Sequence, residues 1–334
     1  GHAPRGVAAL ESRSIVVEVF DEVEENPTTT HVDAGLAVAK DFRPDLIIGL
    51  GGGSSMDCAK GINFLYSCGG RMHDYWGTGK ATGPLLPMLA VPTTAGTGSE
   101  AQSYALISDA ETHVKMACGD PRAAFRVAIL DPELTLTQPP RVTALTGIDA
   151  LAHAIETFVT KRRNQVSQML SHDAFRRLVT SFPRVLQDPT DIVARAETQV
   201  GACLAGLAIE NSMLGAAHAL ANPLTAVCGV AHGEAVGLML PHVIRFNGRM
   251  VDASYAELVN DLVDSPGEDA SETLATLVEQ LRHQAGLAGT LSESGVAADQ
   301  LPTLAAAAAQ QWTGQFNPVP LTHDDFLQLY RTAL

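Results

Sequence analysis

Residues 46–62, LIIGLGGGSSMDCAKGI, place an apolar, β-rich run directly before three glycines and the start of a helical pattern. Consecutive glycines let the backbone approach a phosphate closely, and the free N–H groups at a helix N-terminus favour an anion. The stretch is neither a G-x-G-x-x-G fingerprint nor a Walker loop, because its lysine falls seven residues after the last glycine. It is therefore compatible with a phosphate-binding loop and with an ordinary tight strand-to-helix turn.

Short apolar runs alternate with helical patterns around this stretch. We predict strands over residues 14–20, 45–50, 86–94 and 126–135, and a connecting helix over residues 31–42. A strand, a helix and a strand at this spacing predict a parallel sheet. A short helical piece precedes the first of these strands, so we expect that the α/β domain lacks a leading strand.

The pattern changes at Gln-Pro-Pro, residues 138–140, and is helical from there to the end. We predict helices around residues 144–160, 163–186 and 191–221, followed by several more. A chain of 334 residues is longer than a single hydrophobic core usually serves. We therefore predict two domains, an α/β domain over 1–138 and an all-helical domain over 139–334.

The amino-acid composition restricts the binding partners and the cellular compartment that we expect for the protein. The formal charge is −15, from 22 basic and 37 acidic residues, which argues against a broad surface for nucleic acid or for an anionic membrane. The five cysteines are scattered, contain no Cys-x-x-Cys pair, and favour reduced thiols in the cytoplasm. No basic-then-apolar signal segment opens the sequence. We expect a cytoplasmic protein with no nucleic-acid and no membrane partner.

A second polar loop, VPTTAGTGSE at residues 91–100, follows the next predicted strand. It offers the hydroxyl groups of Thr93, Thr94, Thr97 and Ser99. Two such loops at the carboxyl ends of neighbouring strands lie where an open α/β sheet binds a dinucleotide. Together the two loops favour a nucleotide cofactor over a pair of ordinary turns.

The stretch GIDALAHAIE, residues 147–156, sets a carboxylate and an imidazole into an apolar helix. Asp149 and His153 are four residues apart, so they share one helix face and can either bind one ion or hydrogen-bond each other. His218 and His232 also lie among small or apolar residues of the helical half. One carboxylate oxygen and three imidazole nitrogens suit Fe(II) or Zn(II).

These motifs resemble the iron-containing, or group III, alcohol dehydrogenases. The resemblance rests on GGGSSMDCAK, PTTAGTGSE, HVKM, DPELT, TGIDALAHAIE, the His218/His232 pair and LMLPHVIRFN, and runs from residue 25 to the end of the chain. It implies a Rossmann-like α/β N-terminal domain plus an all-α C-terminal domain, an architecture shared with dehydroquinate synthases. It also implies NAD or NADP in the cleft between the domains, a small alcohol or aldehyde substrate, and a homodimer.

Specific roles follow from the same resemblance. The metal ligands, which act in catalysis through the ion, are Asp149, His153, His218 and His232. The dinucleotide-binding residues are Asn26, Gly52, Gly53, Ser54, Asp57, Thr93, Thr94, Thr97, Ser99 and Lys115. Nothing in these residues chooses between NAD and NADP.

The sequence departs from the family at Asn222. Many members have a histidine four residues after the third ligand, where it helps to relay the proton, and an amide cannot titrate near neutral pH. Alternatives of the same fold are a glycerol dehydrogenase, a sugar-phosphate cyclase and a metal-free reductase such as a maleylacetate reductase. The phosphate-binding alternatives would want basic residues near the metal, and the helices that carry the four ligands offer almost none. A metal- or nucleotide-binding structural protein is the alternative outside enzymes.

Overall fold

The computed structural model describes residues 1–260 and 269–334. The chain divides into two compact units. The α/β unit comprises residues 1–94 and 99–137, and the helical unit comprises residues 95–98 and 138–334. Residues 95–98, which the sequence prediction placed in the first domain, thus belong to the helical unit.

Helices and strands are distributed unequally between the units. The α-helices are α1 (His2–Glu11), α2 (Thr29–Phe42), α3 (Gly53–Cys68), α4 (Pro140–Val159), α5 (Gln165–Gln187), α6 (Ile192–Glu210), α7 (Ala216–Cys228), α8 (His232–Val259), α9 (Ala270–Gln284), α10 (Leu301–Ala308) and α11 (His323–Ala333). The strands are β1 (Ile47–Gly51), β2 (Gly77–Thr78), β3 (Met88–Pro92), β4 (Tyr104–Ser108), β5 (Lys115–Gly119) and β6 (Val127–Ala128). Short 3-10 helices lie at Met72–Tyr75, Ser99–Ala101, Pro121–Ala123, Pro132–Thr137, Ala298–Gln300 and Trp312–Phe316.

The α/β unit contains two small sheets. The first has the order β1-β3-β6 and is parallel, with Ile47 opposite Met88. The second has the order β2-β5-β4, in which β4 and β5 are antiparallel. The predicted strands at 45–50 and 86–94, the predicted helix at 31–42 and the parallel sheet are therefore confirmed. The carboxyl ends of β1 and β3 place the two polar loops at one edge of the first sheet.

The predicted strand at 14–20 is wrong. Residues 15–20 are irregular, and Val16 is 79 % exposed. A strand needs a partner for its backbone hydrogen bonds, and no strand of the described chain pairs with this segment. The prediction at 126–135 holds only for β6, because a 3-10 helix occupies Pro132–Thr137. The chain there turns away after two paired residues.

The predicted helix over 191–221 is two helices. α6 ends at Glu210 and α7 begins at Ala216. Gly215 has φ −134° and ψ −141°, which is not helical, and so it interrupts the continuous apolar pattern from which one helix was inferred. The break gives α7 its own N-terminus, with free backbone N–H groups.

Helix α4 is at the centre of the helical core. Its residues from Gly147 to Val159 are all buried. Two of the described helices, α4 and α6, have the length and apolar composition of a membrane span, but 83 % of the apolar window of α4 is buried inside the protein. The apolar character of α4 thus serves the protein interior, and the polar residues that it carries are buried with it.

Candidate active site

Four predicted ligands meet in the helical unit. Asp149 Oδ1 lies 3.3 Å from His218 Nε2, 3.4 Å from His153 Nε2 and 3.8 Å from His232 Nε2. Four tetrahedral ligands bound at about 2.1 Å to one ion lie about 3.4 Å from one another. Asp149, His153 and His218 offer ligand atoms that all lie within 4.8 Å of one another, so these three have the spacing of ligands around a single first-row metal ion. His232, whose side chain is 33 % exposed, is the outermost of the four side chains, which are called the Asp149 cluster below.

Local sequence explains this convergence. Asp149 and His153 are one turn apart on α4, and His232 is the first residue of α8. A Cβ atom at Gly233 would lie 2.1 Å from the carbonyl oxygen of Leu145, so only glycine lets the first turn of α8 approach the α4 backbone. The small residues that surround the histidines in the sequence therefore serve close helix packing, which brings His232 to the cluster.

Three members of the cluster are buried, His232 is half-buried, and the cluster is incomplete as a hydrogen-bonding system. Asp149 and His218 are 6 % and 4 % exposed. Within residues 1–260 and 269–334, Asp149 Oδ1 and His218 Nε2 have no hydrogen-bond partner, although they are 3.3 Å apart. Buried polar atoms without partners are costly. A cation bound to these atoms would remove that cost, so the residues fit a metal ion.

The electrostatics agree with this interpretation. Burial raises the pKa of Asp149, but the imidazoles of His153, His218 and His232 outweigh it and hold the pKa well below its usual range. Burial lowers the pKa of His153. Burial also opposes the charge on His218, but Glu156 and Asp149 outweigh it and raise the pKa of His218 to about 10. Without an ion, the cluster therefore holds a proton on His218 beside the ionised Asp149, and a metal ion would take the place of that proton.

The structure adds Glu156, which sequence reasoning did not assign. Its Oε2 is hydrogen-bonded to His218 Nδ1, and its Oε1 accepts a hydrogen bond of 2.8 Å from the Ala217 N–H. The sequence contained a signal, since Glu156 is a second carboxylate in an apolar helix, three residues after His153. Asn222 lies one turn after His218 on α7, and its Nδ2 donates a 3.0 Å hydrogen bond to Gln311 Oε1.

The α/β unit holds the glycine-rich loop as the sequence suggested. Gly51 has φ +141°, a conformation that L side chains rarely adopt, and Gly52 caps α3 without a capping side chain. The Thr93 N–H donates a 2.9 Å hydrogen bond to the Gly51 carbonyl. A Cβ atom at Gly52 would lie 3.3 Å from Thr94 Cγ2. The two polar loops are therefore neighbours, and the N-terminus of α3, which begins at Gly53, keeps backbone N–H groups for an anion.

The remaining predicted cofactor residues occupy different environments. The Asn26 N–H donates a 3.2 Å hydrogen bond to Ser54 Oγ, and Lys115 Nζ donates a 3.3 Å hydrogen bond to Asn26 Oδ1. Asn26 and Lys115 are exposed. Thr97 belongs to the helical unit, unlike the other predicted cofactor residues.

Asp57 and Ser99 belong to a buried cluster around Lys60, called the Lys60 cluster below. Lys60 Nζ donates to the carbonyl oxygens of Ser99 at 2.8 Å and Tyr104 at 2.7 Å, and lies 3.5 Å from Asp57 Oδ1. Asp57 Oδ2 accepts a 3.2 Å hydrogen bond from the Leu106 N–H. Burial raises the pKa of Asp57 and Lys60 opposes it. The cluster joins α3 to the second polar loop.

The structure defines a class of protein in which an α/β unit is joined in sequence to a helical unit that carries a set of potential metal ligands. Comparison with known proteins agrees with this class. Residues 1–132 match the family model described as iron-containing alcohol dehydrogenase, and residues 143–334 match the Fe-containing alcohol dehydrogenase family, C-terminal. Alcohol dehydrogenase 4 of Schizosaccharomyces pombe is 33 % identical, over 98 % of this chain and 78 % of its own length. The NAD-dependent methanol dehydrogenase of Bacillus methanolicus is 34 % identical, over 95 % of this chain and 84 % of its own.

A solved structure shows the same fold. The crystal structure of a 1,3-propanediol oxidoreductase superposes with a TM-score of 0.96 at 31 % identity, and the match covers 100 % of this chain and 88 % of that one. The chain belongs to the iron-containing alcohol dehydrogenase family. It is an oxidoreductase of alcohols and aldehydes, in a family that typically depends on NAD(P).

Proposed function

We propose that the protein interconverts an alcohol and its aldehyde or ketone by hydride transfer that depends on Fe(II) and on NAD or NADP. Asp149, His153, His218 and His232 hold the ion, and Zn(II) suits the same donor set. The observation that carries the proposal is the Asp149 cluster, with buried acceptor atoms at ligand spacing. The name of the methanol dehydrogenase of Bacillus methanolicus supports NAD as the cofactor and a small primary alcohol as the substrate.

The bound ion would supply the charge stabilisation for catalysis, and the helices would hold its ligands in place. When bound, the ion would stabilise negative charge on the alcohol oxygen, and the nicotinamide would accept the hydride. The protein holds three imidazoles and a carboxylate in fixed positions before any substrate arrives. Asp149 supplies one negative charge, which the depressed pKa keeps ionised throughout the neutral range.

The α/β unit would hold the dinucleotide. We infer that the pyrophosphate lies against Gly52, Gly53 and Ser54, because no capping side chain is hydrogen-bonded to the N-terminus of α3 and its backbone N–H groups favour an anion. The hydroxyls of Thr93, Thr94, Thr97 and Ser99 and the side chains of Asn26, Asp57 and Lys115 remain proposed contributors.

Asn222 restricts the route by which the proton of the alcohol can leave the site. A neutral amide donates to Gln311 one turn after a ligand, so this position cannot exchange a proton near neutral pH. The alcohol proton would leave through water, the cofactor ribose or another residue. Asn222 therefore contributes hydrogen bonding and shape beside the cluster.

The compartment and assembly are also proposals. All five cysteines are free, which supports a reducing cytoplasm. The family resemblance supports a homodimer, which sedimentation analysis of the purified protein would test.

Activity measurements test the proposed function. Wild-type protein, purified without oxygen and loaded with Fe(II), would be assayed with NAD and NADP against small primary alcohols and diols, and in reverse with their aldehydes. We expect turnover in wild type and its loss in His218→Ala. The matched control is His172→Ala, because His172 lies on α5 of the same unit and its ring packs against Phe158.

The two variants separate the outcomes. The control should keep the wild-type rate, which shows that loss of a histidine from this unit is tolerated. Equal turnover in wild type and His218→Ala would exclude the metal-dependent mechanism. A metal-loaded wild type that oxidises neither reduced cofactor with any aldehyde would exclude the proposed activity.

A further inference from the structure

We infer that Glu156 is a positioning residue for the metal centre, where it fixes the tautomer and the ring orientation of His218. The inference rests on the proposed function, since it takes the Asp149 cluster as the metal site. Glu156 does not belong to the ligand set, because both of its oxygens are directed to other partners. Its effect on the ion therefore passes through His218.

The hydrogen bonds around Glu156 specify one arrangement. The carboxylate has two oxygens, and each accepts from one donor, Oε2 from His218 Nδ1–H and Oε1 from the Ala217 N–H. A backbone N–H cannot reverse its role as a donor, and a carboxylate can only accept. With Nδ1–H donated to Glu156, Nε2 is the nitrogen that faces the cluster, 3.3 Å from Asp149 Oδ1, and its lone pair becomes available when a metal ion takes the place of the Nε2 proton.

The carboxylate itself is held in place. Glu156 is 4 % exposed, and a Cβ atom at Gly215 would lie 3.1 Å from both Glu156 Oε1 and Asn317 Oδ1. Gly215 thus brings the start of α7 against both polar groups. Because the Ala217 N–H is at the free N-terminus of α7, Glu156 also satisfies a helix end that would otherwise be buried without an acceptor.

Asn317 completes the support from the other side. Its Oδ1 accepts from the Ala216 N–H at 3.3 Å and from Asn247 Nδ2 at 3.0 Å. Its Nδ2 donates to Asn247 Oδ1 at 2.7 Å and to the Val319 carbonyl at 2.8 Å. Asn317 and Glu156 therefore bind consecutive N–H groups of α7, and this pair of contacts sets where His218, on the same turn, points.

Glu156→Gln tests the inference with almost no change in volume. A glutamine has one acceptor oxygen and one donor NH₂, so it cannot accept from both Ala217 N–H and His218 Nδ1–H. Either the helix end loses its acceptor or His218 adopts the other tautomer, whose Nε2 carries a proton. Outer-shell partners of this kind contribute about 10- to 100-fold to metal affinity, and we expect a loss of that size.

Metal affinity is the readout. Zn(II) and Co(II) would be titrated into metal-free protein in competition with a chelator, and the visible spectrum of the Co(II) form would be recorded. The matched control is Glu279→Gln, because Glu279 is in the same unit and pairs with Arg245 away from the ligands. We expect wild-type affinity in the control, and weaker binding with an altered Co(II) spectrum in Glu156→Gln.

A measurement on wild type keeps the test decisive if Glu156→Gln does not fold. In Zn(II)-loaded protein, nitrogen-15 NMR should show His218 protonated on Nδ1, with a downfield proton hydrogen-bonded to a carboxylate. Unchanged affinity in Glu156→Gln, or a proton on Nε2 of His218, would overturn the inference. Absence of metal binding by wild type would instead refute the proposed function, so the two failures are distinct.

Discussion

The Lys60 cluster and the Asp149 cluster both bury ionisable groups, but only one is complete within the chain. Lys60 is fully buried, and its ammonium is held by two carbonyl oxygens and a carboxylate. In the Asp149 cluster, Asp149 Oδ1 and His218 Nε2 are buried without a partner in the parts of the chain that are described. Both clusters bury charge, so burial alone does not identify a ligand site. The ligand site is identified by buried atoms that have no hydrogen-bond partner in the described parts of the chain.

Lys60→Met should have the largest effect on the free energy of unfolding, because it removes the cation of the complete cluster. The carboxylate of Asp57 and two carbonyl groups would lose their buried partner, and loss of one member of a buried pair costs about 3–5 kcal/mol. Urea unfolding should show this loss equally with Fe(II) and with chelator. The control is Lys40→Met, because Lys40 is an exposed residue of α2 and its replacement should change stability little. A metal-dependent loss would contradict the view that this cluster is complete.

Metal removal tests the incomplete cluster. An ion that binds only the folded state adds about 2.7 kcal/mol when its free concentration is 100 times the Kd. We expect thermal unfolding of the wild type to shift upward with Fe(II) and to return with chelator. In Asp149→Asn the shift should be small, because the anionic ligand is lost. Equal stability of wild type with and without metal would show that the cluster does not need an ion.

The helical unit should also lose stability in acid for a reason that does not involve a metal ion, namely the protonation of His242. Burial lowers its pKa to about 4, below the ordinary value of 6.5. The unfolded chain therefore binds more protons between these values, so the contribution of His242 to stability is full above pH 6.5 and is lost as pH falls toward 4. In metal-free protein we expect about 1–2 kcal/mol less loss in His242→Gln than in wild type, measured by urea unfolding at pH 4.5 and 7.5. Equal loss in both variants would contradict a half-buried His242 that stays neutral in the folded state.

Asn222→His should give the smallest change, beside the incomplete cluster. The substitution removes the donor to Gln311 and adds a group with an ordinary pKa of about 6.5 one turn after His218. We expect the pH profile of kcat for alcohol oxidation to gain an inflection between about pH 6 and 7, with a change in kcat below about tenfold. Asn222→Gln serves as the control without a titratable group. An inflection already present in wild type would assign the proton to another residue.

The sequence predicted the elements whose signals are local. The glycines after β1, the strands β1 and β3, and the one-turn spacing of Asp149 and His153 follow from periodicity and spacing. The strand at 14–20 failed because strand propensity does not supply a partner, and the break at Gly215 was hidden in a continuous apolar run.

Less of the site than of the fold could be predicted from the sequence. His218 and His232 come from separate helices, so their small and apolar sequence context made them candidates only, and the family resemblance assigned them as ligands with Asp149. Glu156 escaped assignment because its partners, His218 and the Ala217 N–H, lie 62 and 61 residues away in the sequence. The sequence excludes a Walker-type role for Lys60, but nothing local indicates that two carbonyl oxygens surround its ammonium group.

X-ray absorption at the iron edge of Fe(II)-loaded wild type tests most directly whether an ion completes the Asp149 cluster. We expect about one iron per chain, with nitrogen and oxygen neighbours near 2.1 Å and the outer scattering of about three imidazole rings. In His218→Ala the iron content or the imidazole scattering should fall. Iron bound without imidazole scattering, or a wild type that remains free of iron after loading, would contradict the assignment of this cluster as the metal centre.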